Sequence, residues 1–222
     1  MTLKQNKRAI LFDFDGVVVN SEQIYEEYTR NMFLQYGIHL PSSEWSLFKG
    51  ISCEVFFRLV KSRYLPDITI QELEEDWQVG LRKMMKQKLS YTPSFPEFYH
   101  QISPHFKTAL VTSSRREMIN WIFINTSIQN TFSLIITSDD VQNTKPDAEP
   151  YLKACKMLGI SIKDCIVIED SLRGVASGKN SGAFVIAITT THNRNELKAA
   201  DMVIDSWDEL SVEKLWNLNI LE

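Results

Sequence analysis

The chain has 222 residues, 44% of them hydrophobic and 23% charged, which is enough for one α/β domain, a smaller module and a sizeable core. Its net charge of −4, with no basic stripe, argues against nucleic acid or an anionic membrane surface as a partner. No apolar run approaches the roughly 20 residues that span a bilayer, the N-terminus lacks signal-peptide features, and the three cysteines form no C-x-x-C pair. We therefore expect a monomeric, cytoplasmic protein with reduced, buried thiols.

The first predicted element is a strand, Arg8–Asp13, and the next three are helices. Apolar side chains recur at helical spacing in three segments between about residues 21 and 88. The first ends at Gly37, the second opens at Ser52, and the third opens with a capping box of Thr69 and Glu72. Their apolar positions are Ile24, Tyr28, Met32 and Tyr36, then Val55, Phe56, Leu59 and Val60, then Leu73, Trp77, Leu81 and Met84.

From residue 107 onward, short apolar runs alternate with helical patterns, which is typical of βα units in a parallel sheet. The predicted strands are Thr108–Thr112, Leu134–Thr137, Cys165–Glu169, Phe184–Ile188 and Met202–Ile204. The expected helix caps are Ser114 with Glu117, Asp147, Ser171, Asn193 with Glu196, and Gly159 as a helix end. The predicted fold is a Rossmann-like, doubly wound, mostly parallel α/β sheet of residues 1–18 and 89–222, with an inserted α-helical cap of residues 19–88.

The helical insertion follows the first strand, so it is attached beside the carboxyl end of that strand. Ligands bind at this end of a parallel sheet. A module attached there can close over a substrate and exclude water, as lids do. The alternative is a helical subdomain with no part in function, and the point of attachment favours the lid.

Two pairs of carboxylates follow predicted strands. Asp13-Phe14-Asp15-Gly16 ends the first strand and Glu169-Asp170 ends the fourth. If these strands are neighbours, all four carboxylates converge on one pocket, and burying them together is costly unless a cation or a proton offsets their charge. Oxygen ligands suit Mg²⁺, and a metal beside a free carboxylate favours phosphoryl chemistry. Each pair alone has another interpretation: a solvated loop or calcium site for the first, and a charge favoured by a helix N-terminus for the second.

A hydroxyl and a lysine stand at two further strand ends. Thr112-Ser113-Ser114 leads from a strand into a helix, where hydroxyls and free N–H groups bind phosphate. Thr112 is the better phosphate contact, because Ser114 has an alternative role as the helix cap. Lys145 precedes Pro146, which restricts its backbone, and its ammonium offers a point charge for phosphate. The alternative for Lys145 is a solvated loop lysine.

These motifs resemble those of the haloacid dehalogenase-like hydrolase superfamily, and the resemblance extends over nearly the whole chain. The matching stretches are Asp13-Phe14-Asp15-Gly16, Val111-Thr112-Ser113-Ser114, Lys145-Pro146, Glu169-Asp170-Ser171 with Gly174, and the run from Ala200 to Ser206. The helical insertion is similar to the cap of the β-phosphoglucomutase-like branch, with Lys49-Gly50-Ile51-Ser52 resembling its substrate-facing loop.

The resemblance implies a two-step phosphoryl transfer. Asp13 would attack phosphorus and form an aspartyl-phosphate, and Asp15 would protonate the leaving oxygen and then activate water. Thr112 and Lys145 would hold the phosphoryl oxygens and stabilise their charge. The residues implied to hold Mg²⁺ are Asp13, Asp15 through its backbone carbonyl, Asp170, and Glu169 either at the ion or just behind it. A dehalogenase of this superfamily would lack Asp15, so its presence favours a phosphate substrate.

The same resemblance assigns substrate contacts to the insertion and to the segment after the second strand. These residues are Lys49, Gly50, Ser52, Ser113, Ser114 and Arg115, with Tyr25 and Arg58 as further candidates in the insertion. Tyr25 stands where the mutase pattern has a histidine, and Cys53 where it has a phosphate-binding arginine. Losing that bidentate donor favours hydrolysis over mutase activity.

The sequence thus predicts a Mg²⁺-dependent phosphatase that hydrolyses a small phosphomonoester, such as a sugar phosphate. One alternative is a phosphosugar mutase of the β-phosphoglucomutase type. The other is a catalytically silent regulator that binds a phosphorylated metabolite. A silent binding protein is expected to have lost Asp13, Asp15 or Lys145, and all three are present.

Overall fold

The computed structural model describes residues 8–39, 53–64 and 67–218. The predicted substrate contacts Lys49, Gly50 and Ser52 lie outside these residues and stay predictions.

The chain divides into two compact units. The core unit consists of Met1–Asn20 and Ser90–Glu222, and the helical unit is Ser21–Leu89. The role of the helical unit as a cap remains a proposal.

The core unit contains a sheet of six strands that all run parallel. The strands are β1 (Ala9–Phe12), β2 (Lys107–Val111), β3 (Leu134–Ile136), β4 (Cys165–Glu169), β5 (Phe184–Ile188) and β6 (Met202–Ile204). Their spatial order is β3-β2-β1-β4-β5-β6, which is doubly wound from the central β1. The predicted fold class is confirmed, and each predicted strand matches within one residue at either end.

Eight α-helices occur in the described part of the chain. They are α1 (Ser21–Gln35), α2 (Cys53–Arg63), α3 (Ile70–Lys88), α4 (Phe95–Ile102), α5 (Arg116–Asn125), α6 (Glu149–Leu158), α7 (Leu172–Ser181) and α8 (Val212–Trp216). None of the helices described combines the length and the apolar character that crossing a bilayer requires.

Strand β1 is completely buried, as expected for a central strand with both faces covered. Its side chains alternate between two cores. Leu11 packs in one core with Tyr151 of α6, while the ring of Phe12 lies 5.7 Å from that of Phe95 of α4 in the other. The alternation places residue 13 on the same side of the sheet as Leu11, toward α6.

In the helical unit, α1 and α3 pack against each other. Trp77 of α3 donates from Nε1 to Thr29 Oγ1 at 3.1 Å, and its ring stacks on Tyr25 at 5.7 Å. The stacking favours a packing role for Tyr25, one of the candidates for substrate contact. Helix α3 buries Met85, whereas Met84, the predicted position, is half-buried.

Several predicted helix ends are confirmed. Thr69 and Glu72 form the capping box of α3, and the Ser171 hydroxyl accepts from the backbone N–H of Gly174 at the start of α7. Gly159 ends α6 in the left-handed conformation, with φ of 66°.

Three predicted caps are wrong. The N-cap residue of α5 is Arg115, which makes no capping hydrogen bond with its side chain. Ser114 does not cap this helix, because its hydroxyl donates to Asp15 instead. Ala148 caps α6, although Asp147 Oδ1 accepts from the backbone N–H of Glu149 at 2.8 Å. Asn193 and Glu196 make the expected capping contacts, yet the segment that follows forms turns and no helix.

Two cysteines from successive elements of the chain meet in the core unit. Cys155 on α6 and Cys165 at the start of β4 are buried free thiols with their Sγ atoms 3.0 Å apart. The hydrogen bond with Cys155 and burial both raise the pKa of Cys165. The expectation of buried thiols is met for this pair, whereas its pairing was not predicted.

We expect this thiol pair to be inert in the folded protein, because the thiolate is the reactive form and both groups are buried. In a Cys53→Ser variant, a chromogenic disulfide reagent should label neither thiol under native conditions. It should label both after unfolding in guanidinium chloride. Rapid labelling of the native variant would contradict the burial.

Candidate active site

The candidate site lies where three neighbouring strands end. Phe12 of β1 is in register with Leu110 of β2 and with Ile168 of β4. The residues that follow these positions therefore lie level with one another at the carboxyl edge of the sheet. They are Asp13, Val111 followed by Thr112, and Glu169 followed by Asp170.

Lys145 reaches this edge from the segment between β3 and α6, where it precedes a cis Pro146. It is only 4% exposed. Its Nζ donates to Asp13 Oδ1 at 2.5 Å, to Glu169 Oε1 at 2.6 Å and to the carbonyl of Val111 at 2.8 Å. Lys145 is therefore not a solvated loop lysine, and its three hydrogen bonds join the ends of β1, β2 and β4.

Glu169 is fully buried and surrounded by donors. Besides Lys145, Oε1 accepts from the hydroxyl of Tyr151 at 2.6 Å. Oε2 accepts from the hydroxyl of Ser171 at 3.2 Å and from the backbone N–H of Asp170 at 3.3 Å. A Cβ at residue 174 would lie 1.9 Å from the Glu169 carboxyl, so only glycine fits there. These contacts make Glu169 more than a charge at a helix N-terminus.

Three of the four predicted carboxylates form one group. Asp13, Glu169 and Asp170 each offer an oxygen within 4.8 Å of the others, and all three are buried. The carboxylate of Asp15 is not in this group, although its charge helps to raise the pKa of Asp13, and it accepts from the Ser114 hydroxyl at 2.9 Å. The expected convergence therefore holds for three side chains, and the proposed metal contact of Asp15 is its backbone carbonyl.

A glycine allows the close approach at Asp170. Gly16 has φ of 75°, and a Cβ there would lie 1.8 Å from Asp170 Oδ2. The same carboxylate oxygen accepts from the hydroxyl of Thr191. Both the backbone conformation and the space at residue 16 thus require glycine in the Asp13-Phe14-Asp15-Gly16 motif.

The buried group is short of positive charge. Burial raises the pKa of the Asp13 carboxyl well above its usual value, Lys145 opposes this rise, and Glu169 adds to it. Burial alone would lower the pKa of Lys145, but the carboxylates of Asp13 and Glu169 outweigh burial and raise it. The lysine therefore stays charged, yet one ammonium does not compensate three carboxylates.

Some of the residues that follow β2 lie in this site, and others are exposed to solvent. Thr112 is buried, and its Oγ1 accepts from the backbone N–H of Ser114 at 3.0 Å. Ser114 in turn holds Asp15. Ser113 and Arg115 are exposed. Thr112 and Ser114 are thus held in the structure at the strand end, whereas substrate contacts of Ser113 and Arg115 remain predictions.

Two contacts of the site were missed from the sequence. Tyr151 lies among the apolar side chains that α6 packs into the core, where a buried phenol usually finds a hydrogen-bond partner. Thr191 lies in the polar run Thr189-Thr190-Thr191 just after β5, which is the position where parallel strands present ligand-binding residues. Both could have been suspected, but neither pattern names the partner.

A family model described as haloacid dehalogenase-like hydrolase matches residues 10–188. The chain belongs to this family. The match runs from Ile10 in β1 to the end of β5 and includes the residues of the site described above except Thr191. The predicted resemblance is therefore confirmed.

A bifunctional riboflavin kinase/FMN phosphatase from Arabidopsis thaliana is 29% identical over 98% of this chain, which spans 58% of that longer protein. A β-phosphoglucomutase from Bacillus subtilis is 26% identical over 94% of this chain and 93% of its own length. The crystal structure of a HAD hydrolase, family IA, variant 3, from Entamoeba histolytica has a TM-score of 0.82 at 24% identity, covering 94% of this chain and 97% of that one.

The chain therefore belongs to a family that contains phosphatases and phosphomutases. Its relatives include a member of the predicted β-phosphoglucomutase-like branch. The prediction of a phosphoric monoester hydrolase of the haloacid dehalogenase-like superfamily is confirmed at the level of the family. The Entamoeba structure supports the fold.

Proposed function

We propose that the protein is a Mg²⁺-dependent phosphatase that hydrolyses a small phosphomonoester through an aspartyl-phosphate on Asp13. The contact of Lys145 with both Asp13 and Glu169, at the edge where β1, β2 and β4 end, carries this proposal. It puts a carboxylate nucleophile, a cation for phosphoryl oxygens and further carboxylates at one point of a parallel sheet.

In the first step, an Asp13 carboxylate oxygen forms a bond to phosphorus while the bond from phosphorus to the ester oxygen breaks. Asp15 gives its proton to the leaving oxygen. In the second step, water attacks phosphorus, Asp15 takes the proton of that water, and the bond from phosphorus to Asp13 breaks. The hydrogen bond from Ser114 supports this role, because it orients the Asp15 carboxyl.

Lys145 and Thr112 are proposed to bind the oxygens of the phosphoryl group. The ammonium of Lys145 already lies 2.5 Å from Asp13, so charge that develops on a phosphoryl group at Asp13 falls within its reach. In a buried site such a fixed donor stabilises the transition state strongly. Thr112 stands at the matching end of β2.

The donor set suits a hard divalent cation. Three buried carboxylates offer oxygens within 4.8 Å of one another, and the ammonium of Lys145 contacts two of them. Asp13, the backbone carbonyl of Asp15 and Asp170 are proposed to hold Mg²⁺, with Glu169 in contact or just behind. The ion would neutralise charge on the carboxylates and on the phosphate.

The proposed substrate is a small phosphorylated metabolite. FMN, in the name of the Arabidopsis relative, is one example of this class. The helical unit is proposed to act as the cap that selects the substrate, with Lys49, Gly50 and Ser52 among its contacts. An inserted cap favours a small ester over a phosphoprotein.

The second candidate function is a phosphosugar mutase, which the β-phosphoglucomutase from Bacillus subtilis favours. Two residues argue against it. Tyr25, in place of the histidine of the mutase pattern, stacks on Trp77 in the helical unit. Cys53 stands where an arginine would grip a second phosphate. Hydrolysis is therefore the favoured reaction.

We expect magnesium-dependent release of inorganic phosphate from at least one member of a panel of sugar phosphates, nucleotides and polyol phosphates. EDTA should abolish the release and added Mg²⁺ should restore it, because the three buried carboxylates are proposed to hold the ion. Products should be analysed alongside. Transfer of phosphate within a sugar would support the mutase, and no turnover of any compound would support a binding regulator.

A further inference from the structure

One fully buried side chain at the site has no role in the reaction proposed above. Tyr151 of α6 has 0% of its surface exposed, and its hydroxyl donates to Glu169 Oε1 at 2.6 Å. The Nζ of Lys145 lies 5.1 Å from the centre of its ring. A single side chain therefore contacts both the carboxylate and the ammonium that meet at Asp13.

The carboxylate that Tyr151 contacts is held on several sides. Oε1 is shared by Tyr151 and Lys145, and Oε2 accepts from Ser171 and from the backbone of Asp170. The first turn of α7 closes off another direction, since atoms of the carboxyl lie within 2.0 Å of where a Cβ of residue 174 would be. The orientation of Glu169 is therefore set by donors from several elements, and Tyr151 is the one that α6 supplies.

The sharing of Oε1 links Tyr151 to Lys145. A carboxylate oxygen accepts more than one hydrogen bond, and a neutral phenol takes one of them here. An ionised carboxylate can only accept, so the phenol hydroxyl is the donor of this hydrogen bond. Without this donor, the Oε1 atom of Glu169 keeps only its contact with the ammonium of Lys145.

We propose that Tyr151 is a positioning residue for the reaction: through its hydrogen bond to Glu169 it holds the Lys145 ammonium at Asp13 and keeps the carboxylate group arranged for the metal. The inference rests on the proposed function. Tyr151 itself contacts neither the phosphoryl group nor the metal and transfers no proton. Residues that support ligands in this way typically affect metal affinity or activity by about 10- to 100-fold.

The test is Tyr151→Phe, which removes only the hydroxyl. Isothermal titration of the metal-free protein with Mn²⁺ should show binding about tenfold weaker than in the wild type. Phosphate release should show kcat lower by about tenfold with KM within about twofold, because Lys145 is proposed to act on the transition state.

Tyr99→Phe is the matched control. The Tyr99 hydroxyl contacts Thr108 Oγ1 at 2.9 Å and donates to the carbonyl of Thr131, in the same core unit and outside the carboxylate group. This variant should lower the melting temperature and leave Mn²⁺ affinity and kcat unchanged. If Tyr151→Phe behaves like Tyr99→Phe, the phenol of Tyr151 has a packing role only and the proposal is overturned.

A double-mutant cycle tests whether Tyr151 acts through Glu169. In a Glu169→Gln background, the additional effect of Tyr151→Phe on Mn²⁺ affinity and on kcat should be less than about twofold, because the two changes act on one contact. A full tenfold effect in that background would overturn the proposal.

The two readouts separate this inference from the proposed function. If the wild type releases no phosphate but binds Mn²⁺, and Tyr151→Phe weakens that binding as expected, the reaction is wrong and the positioning role stands. Turnover in the wild type with no effect of Tyr151→Phe on kcat or Mn²⁺ affinity would leave the reaction intact and refute the positioning role. A wild type that binds no Mn²⁺ would refute both.

Discussion

Asp13→Asn is expected to abolish phosphate release, lowering kcat by at least several orders of magnitude. An amide oxygen is a far weaker nucleophile than a carboxylate, so the covalent step is lost altogether. The measurement is steady-state phosphate release with the best substrate of the panel, at saturating Mg²⁺. Retained turnover would show that Asp13 is not the nucleophile and would remove the aspartyl-phosphate from the mechanism.

The Asp13→Asn protein should remain folded. Burial raises the pKa of Asp13, which means that the charged carboxylate is unfavourable where it lies. Asparagine has nearly the same shape and removes one negative charge from a group that lacks positive charge. Circular dichroism and a thermal melt in EDTA would verify this. Asp164→Asn, just before β4 and at the opposite end of that strand from Glu169, should keep full activity.

Lys145→Ala is expected to lower catalysis by about 100- to 1,000-fold, the range seen when one electrostatic donor is lost from a buried site. It should also destabilise the fold by roughly 3–5 kcal/mol, since Asp13 and Glu169 would lose their buried partner. Denaturant unfolding and phosphate release per folded protein measure the two effects separately.

Lys179→Ala is the control for a lysine ion pair. Lys179 pairs with Asp201 at 2.5 Å, but its side chain is 40% exposed, so the loss should cost little stability and no activity. If Lys145→Ala were as mild as Lys179→Ala in both measurements, Lys145 would lie outside the reacting centre.

The strands were predictable because both faces of this parallel sheet are covered. Residues such as Ile166, Val167 and Ile168 in β4 are all buried, so the strand is a continuous apolar run that stops where the sheet meets solvent or ligand. The polar residues that end these apolar runs could then be assigned to one edge of the sheet. They are Asp13, Thr112 and Glu169.

Helix starts were harder, because a serine or asparagine side chain has several possible partners. Ser114 and Glu117 have the spacing of a capping box, yet Ser114 bonds to Asp15, 99 residues away. Asn193 makes its local contacts with Glu196 without a helix following. Local spacing establishes which contacts are possible, and competition from distant groups decides which form.

By itself, the sequence determined the fold class, the family and the strand ends that carry Asp13, Asp15 and Glu169. These follow from local patterns: apolar runs, the polar residues that end them, and short motifs. Only the tertiary structure decided that Tyr151 bonds to Glu169, that Cys155 meets Cys165, and that the carboxylate of Asp15 is not in the group of the other three. Such contacts join separate elements, and they depend on strand order and on the faces that the helices bury, which no local spacing encodes.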